Sequence, residues 1–163
     1  MRKSLFLICP TDRLEPVINN IFEGENYFYA SLGNSFDTDS ETMESLKELI
    51  YKHHIENIYF VLSSDNQIIS DALEGQVYSD IKGLKSSYQV IDKEHSNAAL
   101  QTKNQRFTSL SYYLNKKINK FQEALSNLPH HSVRVDGKIF NRKSNSFESI
   151  YSDLICIQKV SLN

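Results

Sequence analysis

The chain has 163 residues, of which 40 % are hydrophobic and 23 % are charged. This length and composition predict a single globular domain over residues 1–163, with a hydrophobic core of its own. The formal net charge is −2, and no dense block of lysine and arginine occurs. Nucleic acids are usually bound by a basic face, so we expect no nucleic-acid partner.

The N-terminal apolar run, residues 5–9, is shorter than the hydrophobic segment of a secretory signal, and no small-residue cleavage site follows it. No stretch approaches the roughly 20 apolar residues of a membrane span. The two cysteines, Cys9 and Cys156, lie far apart and offer no disulfide framework of the kind that small secreted domains use. We therefore expect a cytoplasmic protein with no membrane partner.

Apolar strands alternate with helices in the first part of the chain. Strands are expected at residues 5–9, 27–30 and 58–62. The first is apolar throughout, as in a strand that is buried on both faces. We expect Asp12 or Thr11 to cap the helix after it, and Asp39 or Ser40 to begin the second helix. This alternation predicts an α/β fold with a mostly parallel β-sheet flanked by helices.

The second half contains a long helix and a hairpin. Apolar side chains recur at helical spacing from Phe107 to Leu128, and Pro129 ends this helix. Shorter elements are expected at residues 67–73, 86–91, 133–140 and 147–150. The last two are typical of a hairpin near the edge of the sheet.

Polar loops follow the first three predicted strands. They read Cys9-Pro10-Thr11-Asp12-Arg13, Ala30-Ser31-Leu32-Gly33 and Ser63-Ser64-Asp65-Asn66-Gln67, and Val135-Asp136-Gly137 follows the long helix. In order and spacing these segments resemble the Cys-x-Asp-x-Arg, Arg-Asn-Ala-Gly, His-x-Asp-Cys-Gly and Val-x-Gly motifs of the β-class carbonic anhydrases. The resemblance covers nearly the whole chain and implies that fold.

The resemblance also implies a zinc site, and two of its three protein ligands are replaced here. Cys9 is kept, but Ser63 stands at the family's histidine and Asn66 at its second cysteine. A hydroxyl and an amide are neutral, weak ligands for Zn²⁺, which favours thiolate and imidazole. Without the ion, nothing lowers the pKa of a bound water toward neutrality. We therefore expect no metal, no other cofactor and no CO₂ hydration by the family's mechanism.

The other motif residues leave alternatives open. Thr11 takes the place of the family's aspartate, and Asp12 lies one residue later and is expected to point elsewhere unless the turn is rebuilt. Arg13 either is solvated, pairs with Asp65 or binds an anion. Asp65 either caps the following helix or acts in catalysis. Cys9 is either an inert core residue or a reactive thiol.

Three functional hypotheses follow. The first is a zinc-free pseudoenzyme that serves as a binding or interaction subunit, with a small anion or another small molecule as ligand. The second is an enzyme of different chemistry, with Cys9 as nucleophile and Asp65 as base. The third is a structural partner of an active relative. A candidate pocket would be lined by Cys9, Thr11, Arg13, Gly33, Ser63, Asp65 and Asn66.

A homodimer is also predicted. The family that the chain resembles forms extensive dimer contacts, and the apolar face of the long helix, from Leu110 to Leu128, is expected to need a covering surface.

Overall fold

The computed structural model describes residues 1–35, 38–73, 89, 103–126 and 133–151. In these ranges the chain forms a five-stranded sheet in the order β2-β1-β3-β4-β5. The first four strands run parallel, and β5 is antiparallel to β4. The strands are β1 (Lys3–Ile8), β2 (Glu25–Ala30), β3 (Asn57–Ser63), β4 (Arg134–Asn141) and β5 (Ser146–Ser149). The predicted α/β class, with a mostly parallel sheet, is confirmed.

Helices connect the strands. They are α1 (Glu15–Ile21), α2 (Ser40–His53), α3 (Gln67–Leu73) and α4 (Lys103–Leu125), with short 3₁₀ helices at Pro10–Asp12 and Leu32–Asn34. As predicted, Asp39 caps α2, and its carboxylate accepts a 2.8 Å hydrogen bond from the Thr42 amide. The cap predicted for α1 is wrong, because Thr11 and Asp12 belong to the first 3₁₀ helix.

Both faces of the sheet are buried, which explains the unbroken apolar run of β1. Leu5 and Leu7 face one core cluster together with α2 and α4. Phe6 and Ile8 point to the other face, into a cluster that includes Ile18 of α1. Successive side chains of a strand alternate between its two faces, so a strand covered on both sides must be apolar throughout.

The apolar face of α4 packs in the core of its own chain. Leu110, Leu114, Ile118 and Phe121 are all buried against the sheet. The prediction that this face needs a covering partner is therefore wrong for these four residues, and they give no argument for a dimer. The predicted strand at 86–91, apart from Gln89, and the predicted end of the helix at Leu128 and Pro129 lie outside the described residues.

No helix within the described ranges has the length and apolar character that crossing a membrane requires.

Candidate functional site

The turn after β1 determines which side chains point into the site. The 3₁₀ helix Pro10–Asp12 ends at Arg13, whose φ of 53° lies in the left-handed region. This turn leaves Thr11 and Arg13 exposed and buries Asp12, which is only 2 % exposed. The turn is thus rebuilt, and Asp12, one residue later than the family's aspartate, is the side chain that points inward.

Asp12 joins the carboxyl ends of β1 and β3. Its Oδ2 accepts a hydrogen bond from the Ser63 amide, and its Oδ1 accepts one from Nδ2 of Asn66, both at 2.8 Å. Burial raises the pKa of Asp12 above its usual value, although the two hydrogen bonds and the nearby Arg142 guanidinium oppose that shift. The carboxylate therefore satisfies two buried donors at the cost of its own desolvation.

Asn66 uses both ends of its side-chain amide. While Nδ2 donates to Asp12, Oδ1 accepts from the Ile69 amide at 3.0 Å and so caps the start of α3. The residue is 1 % exposed. The side chain at the family's second cysteine position is thus held by two contacts within the chain.

Cys9 lies beside Gly33 in the interior of the protein. The thiol sulfur accepts a hydrogen bond from the Gly33 amide at 3.0 Å and lies 3.0 Å from Oγ1 of Thr11. Gly33 has a φ of 59°, and its carbonyl oxygen accepts a 2.7 Å hydrogen bond from the hydroxyl of Tyr113 on α4. Cys9 itself is fully buried.

Asp65 pairs with Arg142 and not with Arg13, so the structure does not support that one of the three alternatives left open for Arg13. Nε of Arg142 lies 3.1 Å from Oδ1 of Asp65, and Nη2 of the same arginine donates to the Asp12 carbonyl oxygen at 2.5 Å. Ser63 Oγ also donates to Asp65. Partial burial tends to raise the pKa of Asp65, but the hydrogen bonds from Ser63 and Arg142 and the charge of the guanidinium outweigh it and lower that pKa.

The sequence interpretation missed two residues of this network, Asp12 as an inward group and Arg142. The sequence did contain a signal for the arginine. Arg142 directly follows β4, and parallel strands end at the same edge of a sheet. A residue at that position is therefore close to the loops after β1 and β3. The inward position of Asp12 has no comparable signal, because it belongs to a single short 3₁₀ turn, Pro10–Asp12.

The residues at the family's zinc positions do not fit a catalytic zinc. Of Cys9, Ser63 and Asn66, only the first can supply a thiolate, and the other two are neutral donors already bonded to Asp65 and Asp12. Across the part of the chain that the structure describes, no group of three or more His, Cys, Asp or Glu side chains could hold a metal ion.

A cavity of about 750 Å³ lies beside this network. Its described lining residues belong to the loop after β3, to α3, to the start of α4 and to the β4–β5 hairpin with Tyr151 after it. Its lining includes Asp65, Arg106, Phe107, Ile139, Lys143 and Tyr151. Of the predicted pocket residues, only Asp65 contributes to this cavity among the described lining residues, whereas Cys9, Ser63 and Asn66 are sealed within the protein.

Several solved structures share this architecture. The β-carbonic anhydrase CafA of Aspergillus fumigatus matches with a TM-score of 0.74 at 12 % identity, over 93 % of this chain and 76 % of that one. Wild-type CafD of the same fungus matches with a TM-score of 0.72 at 18 % identity, over 93 % and 90 %. A Coccomyxa β-carbonic anhydrase, solved in complex with acetazolamide, matches with a TM-score of 0.69 at 15 % identity, over 91 % and 72 %.

The chain therefore has the β-carbonic anhydrase fold, as the motifs predicted, and at these identities the similarity shows the fold alone. Comparison of the sequence with protein families and with curated proteins finds no match.

Proposed function

We propose that this protein uses the β-carbonic anhydrase scaffold without a catalytic zinc and serves as a binding or interaction subunit. One observation carries the proposal: the side chains at the zinc-ligand positions are bonded to the protein itself. Ser63 donates to Asp65, and both ends of the Asn66 amide are engaged. A metal ion would have to break these contacts and would gain only weak, neutral ligands from Ser63 and Asn66 in return.

This donor set also argues against CO₂ hydration. The reaction needs a metal-bound hydroxide at neutral pH, and a Cys-Ser-Asn set lacks the second thiolate and the imidazole that would hold the ion. We expect CO₂ hydration at the rate of the buffer alone.

The alternative enzyme, with Cys9 as nucleophile and Asp65 as base, has less support. The polar contacts of the Cys9 sulfur are to Thr11 and the Gly33 amide, whereas Asp65 contacts Ser63 and Arg142. A nucleophile is normally activated by a base within hydrogen-bonding distance and must be reachable by the substrate. Because Cys9 is fully buried, we favour the binding role.

The proposal extends to assembly and location. Two β-carbonic anhydrases of Sordaria macrospora are described as tetrameric, and one matches this chain with a TM-score of 0.67 at 15 % identity. We propose a homodimer, with a mixed dimer containing an active relative as the alternative, and light scattering at micromolar concentration tests it. A mass corresponding to one chain would contradict the proposal. We further propose a single domain over residues 1–163 in the cytoplasm.

Metal analysis tests the zinc-free state. The protein is produced in zinc-supplemented medium, purified without chelator and measured by plasma mass spectrometry, with stopped-flow CO₂ hydration on the same sample. We expect far less than one zinc per chain and no rate above the buffer. Near-stoichiometric zinc that is lost in a Cys9→Ser variant would overturn the proposal.

A further inference from the structure

The cavity beside the closed zinc positions has the size of a small-molecule site. Its volume of about 750 Å³ lies within the range of about 300–1,000 Å³ that is usual for ligand pockets. The lining residues that the structure describes come from the loop after β3, from α3, from the start of α4 and from the β4–β5 hairpin with Tyr151 after it.

Arg106 supplies a half-buried positive charge in this cavity. Its Nε donates to the Ser64 carbonyl oxygen at 2.5 Å, and its Nη2 donates to Ser70 Oγ at 2.6 Å and to the Asn66 carbonyl oxygen at 3.4 Å. All three acceptors are neutral, and none of these bonds uses Nη1. Within the described ranges this half-buried guanidinium has neutral partners, which favours the binding of an anion, and its planar fork suits a carboxylate.

Apolar side chains line the same cavity beside Arg106. Phe107, the next residue of α4, packs edge-to-face against Tyr151, with ring centroids 5.0 Å apart and an interplanar angle of 70°. Ile139 of β4 is 1 % exposed and also lines the cavity. An aromatic pair and an aliphatic side chain beside one charge are typical of sites that bind an apolar body with one polar end.

Charges at the rim limit how much negative charge a ligand can carry. Lys143 adds a second cation, but Asp65 and Glu148 also line the cavity. Asp65 has its own countercharge in Arg142, whereas in the described part of the chain the Glu148 carboxylate has one contact, at 3.5 Å, with the Asn141 amide. A multiply charged anion such as phosphate would be repelled by Glu148, while a single carboxylate at Arg106 would be tolerated.

We infer that this cavity binds a small organic monocarboxylate with an aromatic or aliphatic body. Arg106 holds the carboxylate through its Nη1 edge, which the bonds to the described residues leave unused, and Phe107, Ile139 and Tyr151 enclose the body. The inference rests on the proposed binding role and assigns that role a site and a ligand class.

Binding of 3-phenylpropionate to the full chain, measured by calorimetry and by ligand-observed NMR, tests the assignment. Two comparison probes are 3-phenylpropanol, which keeps the body and lacks the charge, and inorganic phosphate, which has charge without the body. We expect saturable binding of 3-phenylpropionate, and both comparison probes should bind at least about tenfold more weakly. With 3-phenylpropanol a neutral hydrogen bond replaces the charge-assisted one, and with phosphate the apolar contact is lost.

Substitutions of Arg106 test whether 3-phenylpropionate binds in this cavity. Arg106→Met should weaken 3-phenylpropionate at least about tenfold, and Arg106→Lys, which keeps the charge and loses the fork, should weaken it less. Arg134→Gln is the matched control, because Arg134 is an exposed arginine at the start of β4, paired with Asp136. It should leave binding unchanged. Circular dichroism checks that each variant is folded.

The outcomes separate the site from the proposed function. Equal binding of the acid and the alcohol by the wild-type protein, or no binding of the acid, would overturn the site even if Arg106→Met failed to fold. Unchanged affinity in folded Arg106→Met would do the same. Stoichiometric zinc together with arginine-dependent binding would overturn the proposed zinc-free state and leave this site standing.

Discussion

Removal of the Asp12 carboxylate tests whether the rebuilt turn holds the sheet edge together. In Asp12→Ala, the Ser63 amide and Nδ2 of Asn66 lose their acceptor while both residues remain buried. An unsatisfied buried donor costs about 1–3 kcal/mol. Part of that loss is offset because a desolvated carboxylate is also removed. We therefore expect the free energy of unfolding to fall by about 2–4 kcal/mol.

The conservative variant Asp12→Asn separates the charge from the shape. One amide oxygen can still accept one of the two hydrogen bonds, but the new amide nitrogen must face a donor, so we expect a loss of about 1–2 kcal/mol at neutral pH. The pH dependence has a defined sign. The pKa of Asp12 is raised in the folded protein. Its contribution to the free energy of unfolding is therefore greatest below its pKa in the unfolded chain, and it is lost as the pH rises from there through its pKa in the folded protein.

Urea unfolding followed by circular dichroism measures both effects, at neutral pH and at several acid values. Since Asp12 contributes most at low pH, wild type should exceed Asp12→Asn in stability by more below the pKa of Asp12 in the folded protein than at neutral pH. Asp136→Ala is the control, because that carboxylate is 41 % exposed and its ion pair in the described part of the chain is with the exposed Arg134. An Asp12→Ala variant that is no less stable than Asp136→Ala would refute the reasoning.

Three further predictions concern stability. Gly137→Ala should cost about 1–3 kcal/mol by overpacking, because an added Cβ would lie 2.4 Å from Cδ1 of Ile150; an unchanged urea midpoint would contradict it. Tyr113→Phe should cost about 1 kcal/mol, because the hydroxyl donates to the buried Gly33 carbonyl; a thermal melt measures it, and an equal or higher melting temperature would count against it. Asp65→Asn should lower the free energy of unfolding by less than about 1 kcal/mol, since the Asp65 carboxylate is 59 % exposed. This small loss should vanish as the pH falls through the pKa of Asp65 in the folded protein, which is lowered. Urea titration at two pH values checks both statements.

The sequence predicts the sheet well and the site less well, for different physical reasons. The apolar run of β1 and the helical period of α4 reflect burial, which acts on every residue of an element and so leaves a repeated signal. Asp12 points inward from a single 3₁₀ turn that ends at Arg13, a non-glycine residue in the left-handed region. A single residue of that kind leaves no pattern. The pairing of Asp65 with Arg142 joins residues far apart in the chain, and only the strand order brings them together.

If ligand identity is what prevents zinc binding, restoring the ligands should restore the metal. The double variant Ser63→His/Asn66→Cys would give, with Cys9, the two-cysteine, one-histidine set that zinc accepts. In its metal-free form we expect it to be less stable than wild type by about 2–5 kcal/mol. The reasons are that the Asn66 bonds to Asp12 and Ile69 are lost and that the larger imidazole replaces a fully buried serine.

Zinc should then recover much of that stability, because an ion that binds only the folded state shifts the unfolding equilibrium. Thermal melts with and without zinc, together with zinc content, measure this recovery. The same double variant carrying Cys9→Ser is the control and should neither retain zinc nor be stabilised by it. A folded double variant that takes up no zinc would show that the surrounding network, and not the missing ligands, keeps the site closed. The proposal of a zinc-free protein would then rest on Asp12 and its hydrogen bonds instead of on Ser63 and Asn66.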